Sequence, residues 1–305
     1  MVEGVQRGVI VAGHEVCDPA VDEAATRLGW PVLGRLRWPR LLEALGPLPH
    51  VRFGRPPSPR YVERWLARSP AAGASPCAAD PAWQEWWQRA DEVAWAAVEA
   101  TLAGTWGAPA VAYNVARSLS DSAALHVANS LSLRDNFDYG DGRAVHANLG
   151  VNGIDGTLST ALGEGWARPD RPVCLMVGDL AFLHDQGALL AAADVPGRVT
   201  AVVVDDRGGG IFRTPDLCGQ TDPAVWERLF VTPHATDIVA LCSAHGVPAR
   251  RVRSAAGLVA GIQDDLERPG LGVVVADVVG CDDVGLRARA QTAANGAIAR
   301  LGAMP

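Results

Sequence analysis

The chain contains no lysine: all 27 of its basic residues are arginine. A Schiff-base mechanism needs a lysine amine, so the chain cannot run one with its own side chains. The arginines either grip carboxylates or phosphates through forked donors or reflect a bias toward Ala, Arg, Gly and Pro along the whole sequence. The six cysteines (Cys17, Cys77, Cys174, Cys218, Cys242 and Cys281) form no C-x-x-C pair, which speaks against a zinc or thioredoxin-like centre. Cys174 lies in an apolar run and reads as a buried thiol. No apolar run approaches the ~18 residues of a membrane span. The opening residues lack the basic region, apolar stretch and cleavage site of a signal peptide. Between Gly8 and Gly13 there is no G-x-G-x-x-G, so a nicotinamide site is rejected. A net charge of −7, with no basic stripe, excludes an ordinary nucleic-acid binder. The expected compartment is a reducing cytoplasm.

What is present suffices for two domains: 305 residues, 49% of them hydrophobic. Residues 8–13 (GVIVAG) predict a buried strand, and 18–29 a helix capped by Asp18 ahead of Pro19. PVLGRL (31–36) is a further strand candidate, and 69–82 read as a loop. From 83 to 103 the pattern is helical, with Trp83, Trp86, Trp87 and Trp95 largely on one face. That face suits core or interface packing, or an aromatic cofactor box. Strands then alternate with helices through ALHVANS, AVHANLG, RPVCLMVGD, VTAVVVDD and LGVVVADVV. This order predicts an α/β fold with a parallel sheet flanked by helices at 106–305. A smaller, shortened α/β domain, Rossmann-like, is expected at 1–105.

Two loops stand out, Gly178-Asp179-Leu180 and Asp205-Asp206-Arg207-Gly208. Each sits at the predicted carboxyl end of an apolar strand, where open α/β sheets place ligands. The 24 residues from 181 to 204 between them accommodate one helix and one returning strand. Mg²⁺ takes oxygen ligands and is usually held by a few carboxylates together with substrate phosphates. Asp179 and Asp206 would offer carboxylates, and Gly208 its carbonyl. A diphosphate could rest on backbone N–H groups after Gly178, with Gly208, Gly209 and Gly210 allowing close approach. Taken singly, each motif is as well explained by an ordinary turn. His184 could reach the site or be structural; His14, His126, His146 and His245 show no partner pattern.

The order of these loops, with GGGIF after the acidic pair, resembles the Mg-thiamine-diphosphate motif of thiamine-diphosphate (ThDP) enzymes. More narrowly, it is similar to the menaquinone-pathway 2-succinyl-5-enolpyruvyl-6-hydroxy-3-cyclohexene-1-carboxylate synthase family. The supporting stretches are 51–58 (VRFGRPPS), 127–135 (VANSLSLRD), 148–163 (NLGVNGIDGTLSTALG), 177–185 (VGDLAFLHD), 205–212 (DDRGGGIF) and 227–234 (ERLFVTPH). The resemblance implies Asp179, Asp206 and the Gly208 carbonyl as metal ligands. It implies that Gly153, Gly178, Leu180, Gly209 and Ile211 line the cofactor. Ile154 would be the apolar wedge that bends it. Ser130 and Arg134 would be polar groups at the reacting end, with Arg134 gripping a substrate carboxylate.

Two departures shape the expectation. Leu149 stands where the family has arginine in N-R-G-x-x-G-I-D-G, which points to a donor with one carboxylate or a more apolar acceptor. The family's pyrimidine-binding domain, with its activating Glu, has no counterpart in the chain. The expectation is therefore one subunit of a two-component, ThDP-dependent 2-oxo acid decarboxylating carboligase, a heterodimer or heterotetramer that needs Mg²⁺. The alternative is a catalytically degenerate subunit that stabilises or regulates a partner.

Overall fold

The computed structural model describes residues 5–13, 17–54, 59–72, 76–149, 153–214, 222–302 and 304. His14, Cys218, residues 55–58 of the VRFGRPPS stretch and residues 150–152 of the Gly-rich stretch lie outside the described residues. Contacts divide the chain into two units. One comprises Met1–Ala103, Phe137–Ala144 and Arg287–Pro305, the other Gly104–Asn136 and Val145–Leu286.

In the first unit, strand β1 (Val9–Ala12) is wholly buried and pairs in parallel with β2 (His50–Phe53). The helix Pro19–Leu28 begins where Asp18 accepts a hydrogen bond from the Ala20 N–H at 2.8 Å, a capping arrangement that satisfies one orphan donor. It ends at Gly29, whose left-handed φ of 62° stops the helix. The strand expected at 31–36 does not form. Only Val32 bridges to Ile10, and the chain then turns through Leu33–Arg35, because Gly34 breaks the apolar run. The helix Pro81–Leu102 buries Trp83, Trp87 and Trp95 along one face. Trp83 and Trp87 meet edge to face with centroids 5.6 Å apart, so the aromatic stripe is core packing. In the same unit Asp138 accepts from Arg40 Nε at 2.8 Å and from the Tyr61 hydroxyl at 2.7 Å.

Among the described residues the second unit holds five parallel strands: β3 (Ala124–Val127), β4 (Val173–Gly178), β5 (Arg198–Asp205), β6 (Ala249–Val252) and β7 (Gly270–Asp277). Their order across the sheet is β3-β4-β5-β7-β6. Val173, Leu175 and Val177 of β4, Val199, Ala201 and Val203 of β5, and Val273 and Val275 of β7 share one buried cluster. That cluster also takes in Leu158 and Leu162 of the helix Thr157–Ala167, together with Ile238 and Cys242 of Ile238–Ala244. Alternate residues face the other way, where the helices Ala108–Ser118 and Ala255–Leu266 pack. Fully burying each Val or Leu contributes about 1.5–3 kcal/mol. A sheet covered on both faces leaves its carboxyl edge for ligands. The strand expected around His146 reduces to a single bridge between His126 and His146. Among the described residues no helix is long and apolar enough to cross a membrane.

Candidate functional site

A cavity of about 320 Å³ opens at the carboxyl ends of β4 and β5. Of the residues expected at the site, Ser130, Ile154, Gly178, Asp179, Leu180, Asp206, Gly208, Gly209 and Ile211 line it. Gly153 is not among the lining residues, but its carbonyl accepts from Asn129 Nδ2 at 2.7 Å. Arg134 is half-buried on the helix Leu131–Tyr139 and lies outside the lining, whereas Leu131, Ser132 and Asp135 of that helix are within it. Leu149 is half-buried and outside the lining. His184 is half-exposed and sits 3.7 Å from Asp155, away from the acidic pair.

Asp179 is the first residue of the short helix after β4 and is 1% exposed. Its Oδ1 accepts from the Leu180 N–H at 2.6 Å, and its Oδ2 from the Gly208 N–H at 2.8 Å. His234 Nε2 lies 3.1 Å from the same Oδ2. Burial raises the Asp179 pKa, while the His234 contact and the two N–H donors oppose that rise. Asp206 lies just past the end of β5, and burial pushes its carboxyl up to about 7. The neighbouring Asp179 charge adds to the rise, and Arg213 partly offsets it. Two carboxylates sharing one cavity in this way disfavour joint ionisation.

The loop after Asp206 is shaped by backbone. Gly208 has φ 153°, and a Cβ there would lie 2.7 Å from the Val231 carbonyl oxygen. The next residue locks the contact, with the Gly209 N–H donating to that oxygen at 2.7 Å. A Cβ on Gly210 would collide with the Asp206 carboxylate. At Gly178, by contrast, a Cβ would meet nothing within 4 Å, so the missing side chain leaves cavity open. Ser130 (φ 76°) and Arg207 (φ 62°) are non-glycine residues in the left-handed region. Such strain concentrates at functional sites.

A second acidic grouping lies close by. One ligand atom each from Asp179, Asp205 and His234 fall within 4.8 Å of one another. Asp205, however, is fully buried against Arg251, whose Nη1 is 2.9 Å from its Oδ2. The same guanidinium reaches Asp237 at 3.1 Å and Asp277 at 3.7 Å. Asp205 is therefore compensated by arginine and does not line the cavity, whereas Asp206 does. The donors that face the cavity are hard oxygens, which suit Mg²⁺.

Sequence reasoning missed Asn129 and His234. Asn129 donates from Nδ2 to the carbonyls of Asn148 (2.6 Å) and Gly153 (2.7 Å). Its Oδ1 is buried without a hydrogen-bond partner among the described residues. Asn129 directly precedes Ser130 in the quoted 127–135 stretch, and His234 ends the 227–234 stretch. Only their place in those stretches could have flagged them.

Residues 129–276 match the family described as "Thiamine pyrophosphate enzyme, C-terminal TPP binding domain". The chain is 38% identical to a 2-succinyl-5-enolpyruvyl-6-hydroxy-3-cyclohexene-1-carboxylate synthase of Saccharopolyspora erythraea, over 79% of this chain and 44% of that protein. It is 38% identical to a synthase of the same description from Kineococcus radiotolerans, over 83% of this chain and 56% of the relative. With that of a Nocardioides species it shares 33% identity, over 90% of this chain and 60% of the relative. The chain thus spans about half the length of the curated relatives it matches.

Proposed function

We propose that this chain, whose residues 129–276 match the C-terminal TPP binding domain of thiamine pyrophosphate enzymes, binds Mg²⁺ and the diphosphate of ThDP in a decarboxylating carboligase. The observation that carries the reading is the pair Asp179 and Asp206 in one cavity with a glycine-built loop at the carboxyl ends of adjacent strands. Asp179, Asp206 and the Gly208 carbonyl would hold the cation. Gly178 and Gly209 give a backbone surface free of side chains for the diphosphate, Leu180 follows Gly178 and Asp179 in that lining, and Ile154 and Ile211 give apolar walls. When bound, ThDP supplies the nucleophilic carbon and the electron sink for loss of CO₂ from a 2-oxo acid. The chain's own part is positioning and electrostatics. Its two carboxylates neutralise the cation, and its buried walls exclude water from the reacting end.

The aminopyrimidine half of the cofactor, and the carboxylate that activates it, belong in this reading to a partner polypeptide in a heteromer. Carboligation is favoured over simple aldehyde release by the relatives, whose name is that of a C–C bond-forming synthase. With Leu149 where the family motif has arginine, the donor in this reading is a 2-oxo acid with one carboxylate, or the acceptor is more apolar, although Leu149 itself lies outside the cavity lining. Five free thiols among the described residues suit a reducing cytoplasm.

Titration of ThDP with Mg²⁺ into the chain, alone and mixed with a candidate partner, tests this reading. Asp179→Ala is expected to abolish cofactor retention; unchanged retention would mean that the cation sits elsewhere. A degenerate subunit would bind the cofactor with its partner present yet release no CO₂ from any 2-oxo acid.

A further inference from the structure

We infer that His234 holds Asp179 as a fixed hydrogen-bond donor and is not itself a ligand of the cation. This rests on the proposed Mg²⁺-ThDP reading and specifies how the site selects its metal. The ring is clamped from both ends. The Thr236 N–H points at His234 Nδ1 at 3.2 Å, and Nε2 faces Asp179 Oδ2 at 3.1 Å. A backbone N–H can only donate, so Nδ1 must be the acceptor nitrogen and the ring proton resides on Nε2. An Nε2 that carries a proton has no lone pair for a metal. To ligate through Nε2, the ring would need its proton on Nδ1, where it would oppose the Thr236 N–H.

The same geometry determines which Asp179 oxygen is available. Oδ2 already accepts from the Gly208 N–H at 2.8 Å and from His234, which fills both of its lone pairs. Among the described residues, Oδ1 accepts from the Leu180 N–H alone and keeps one. A cation is therefore offered a single oxygen of Asp179. Mg²⁺ and Mn²⁺ accept that arrangement, whereas Ca²⁺ readily takes carboxylates through both oxygens. His234 thereby biases the site toward the smaller cation by occupying the second oxygen. Partners of this kind typically cost 10–100-fold in metal affinity when removed.

The tautomer is read directly by long-range ¹⁵N–¹H correlation on histidine-labelled protein at mildly alkaline pH. The His234 signal is assigned by its loss in His234→Gln, and an Nε2–H form is expected; an Nδ1–H form overturns the inference. The second measurement is Mn²⁺, Mg²⁺ and Ca²⁺ binding in the presence of ThDP. His234→Ala is expected to weaken Mg²⁺ and Mn²⁺ by roughly 10–100-fold and to narrow the preference for Mg²⁺ over Ca²⁺. His234→Gln, which keeps an N–H donor, should recover part of both. A merely structural role would weaken the cations equally and leave their ratio unmoved. Pulsed electron paramagnetic resonance of bound Mn²⁺ should show no directly ligated imidazole nitrogen, and finding one would overturn the inference. If the unaltered protein takes up no Mn²⁺ with ThDP, either alone or mixed with the candidate partner, the cofactor reading itself fails. If it does and His234→Ala matches it, only the role of His234 falls.

Discussion

Asp206 shows how a single side chain couples the site to pH. Unfolded, its carboxyl loses a proton near pH ~4; folded and without a cation, burial and the Asp179 charge hold that proton until about 7. The folded state therefore binds more protons across this window, so ionising Asp206 costs stability. That cost is absent below the ordinary carboxylate range and grows as pH rises to about 7. A divalent cation takes the place of the proton. Apparent Mg²⁺ affinity in the presence of ThDP is expected to rise with pH and level off above about 7. Proton release on binding below that point is measurable by calorimetry in buffers of different ionisation enthalpy. Asp206→Asn should remove this pH dependence; an unchanged slope would place the titrating group elsewhere. At this scale the acidic residues were legible because two strand-end loops carried them. His234 was not, since its role depends on a backbone N–H two residues away and a carboxylate 55 positions back.

The loop 208–210 shows what an element adds beyond its residues. Gly208→Ala would force a Cβ against the Val231 carbonyl at a φ that side chains rarely adopt. The expected cost is about 1–3 kcal/mol, read as a lower urea midpoint, together with weakened ThDP retention. A variant that kept both would show that the loop can be rebuilt. The glycines at 208–210 were readable from sequence, as were β3, β4, β5 and β7, because strands buried on both faces must be apolar throughout. Strand β6 (Ala249–Val252) was not, for its residues are only half-buried and two of them are arginines. Arg250 pairs with Asp264 and Arg251 with Asp205, so its polar look follows from partners distant in sequence. PVLGRL erred in the opposite direction, since an apolar run was read as a strand where the chain makes one bridge and turns.

At the scale of the molecule, the first unit gathers three separate stretches of chain, and Asp138 joins two of them through Arg40 and Tyr61. Asp138→Ala would leave the buried Tyr61 hydroxyl without its acceptor while Arg40 keeps Glu43 and Gln291, and is expected to cost about 1–3 kcal/mol, measured by denaturant unfolding. For the proposed heteromer, CO₂ release from a 2-oxo acid is expected only when the chain is mixed with a partner bearing the pyrimidine-binding domain. Release by the chain alone would contradict the two-component arrangement. The order of the motifs along the chain made the resemblance to thiamine pyrophosphate enzymes legible, whereas the interleaving of stretches in the first unit had no local signature. The sheet order has a further consequence for biosynthesis. Strand β7 lies between β5 and β6, so β5 keeps an open rim until residue 277 has left the ribosome. Until then the growing polypeptide carries a valine-rich ribbon able to adhere to its neighbours, and slow translation before that point would lengthen its dependence on chaperones.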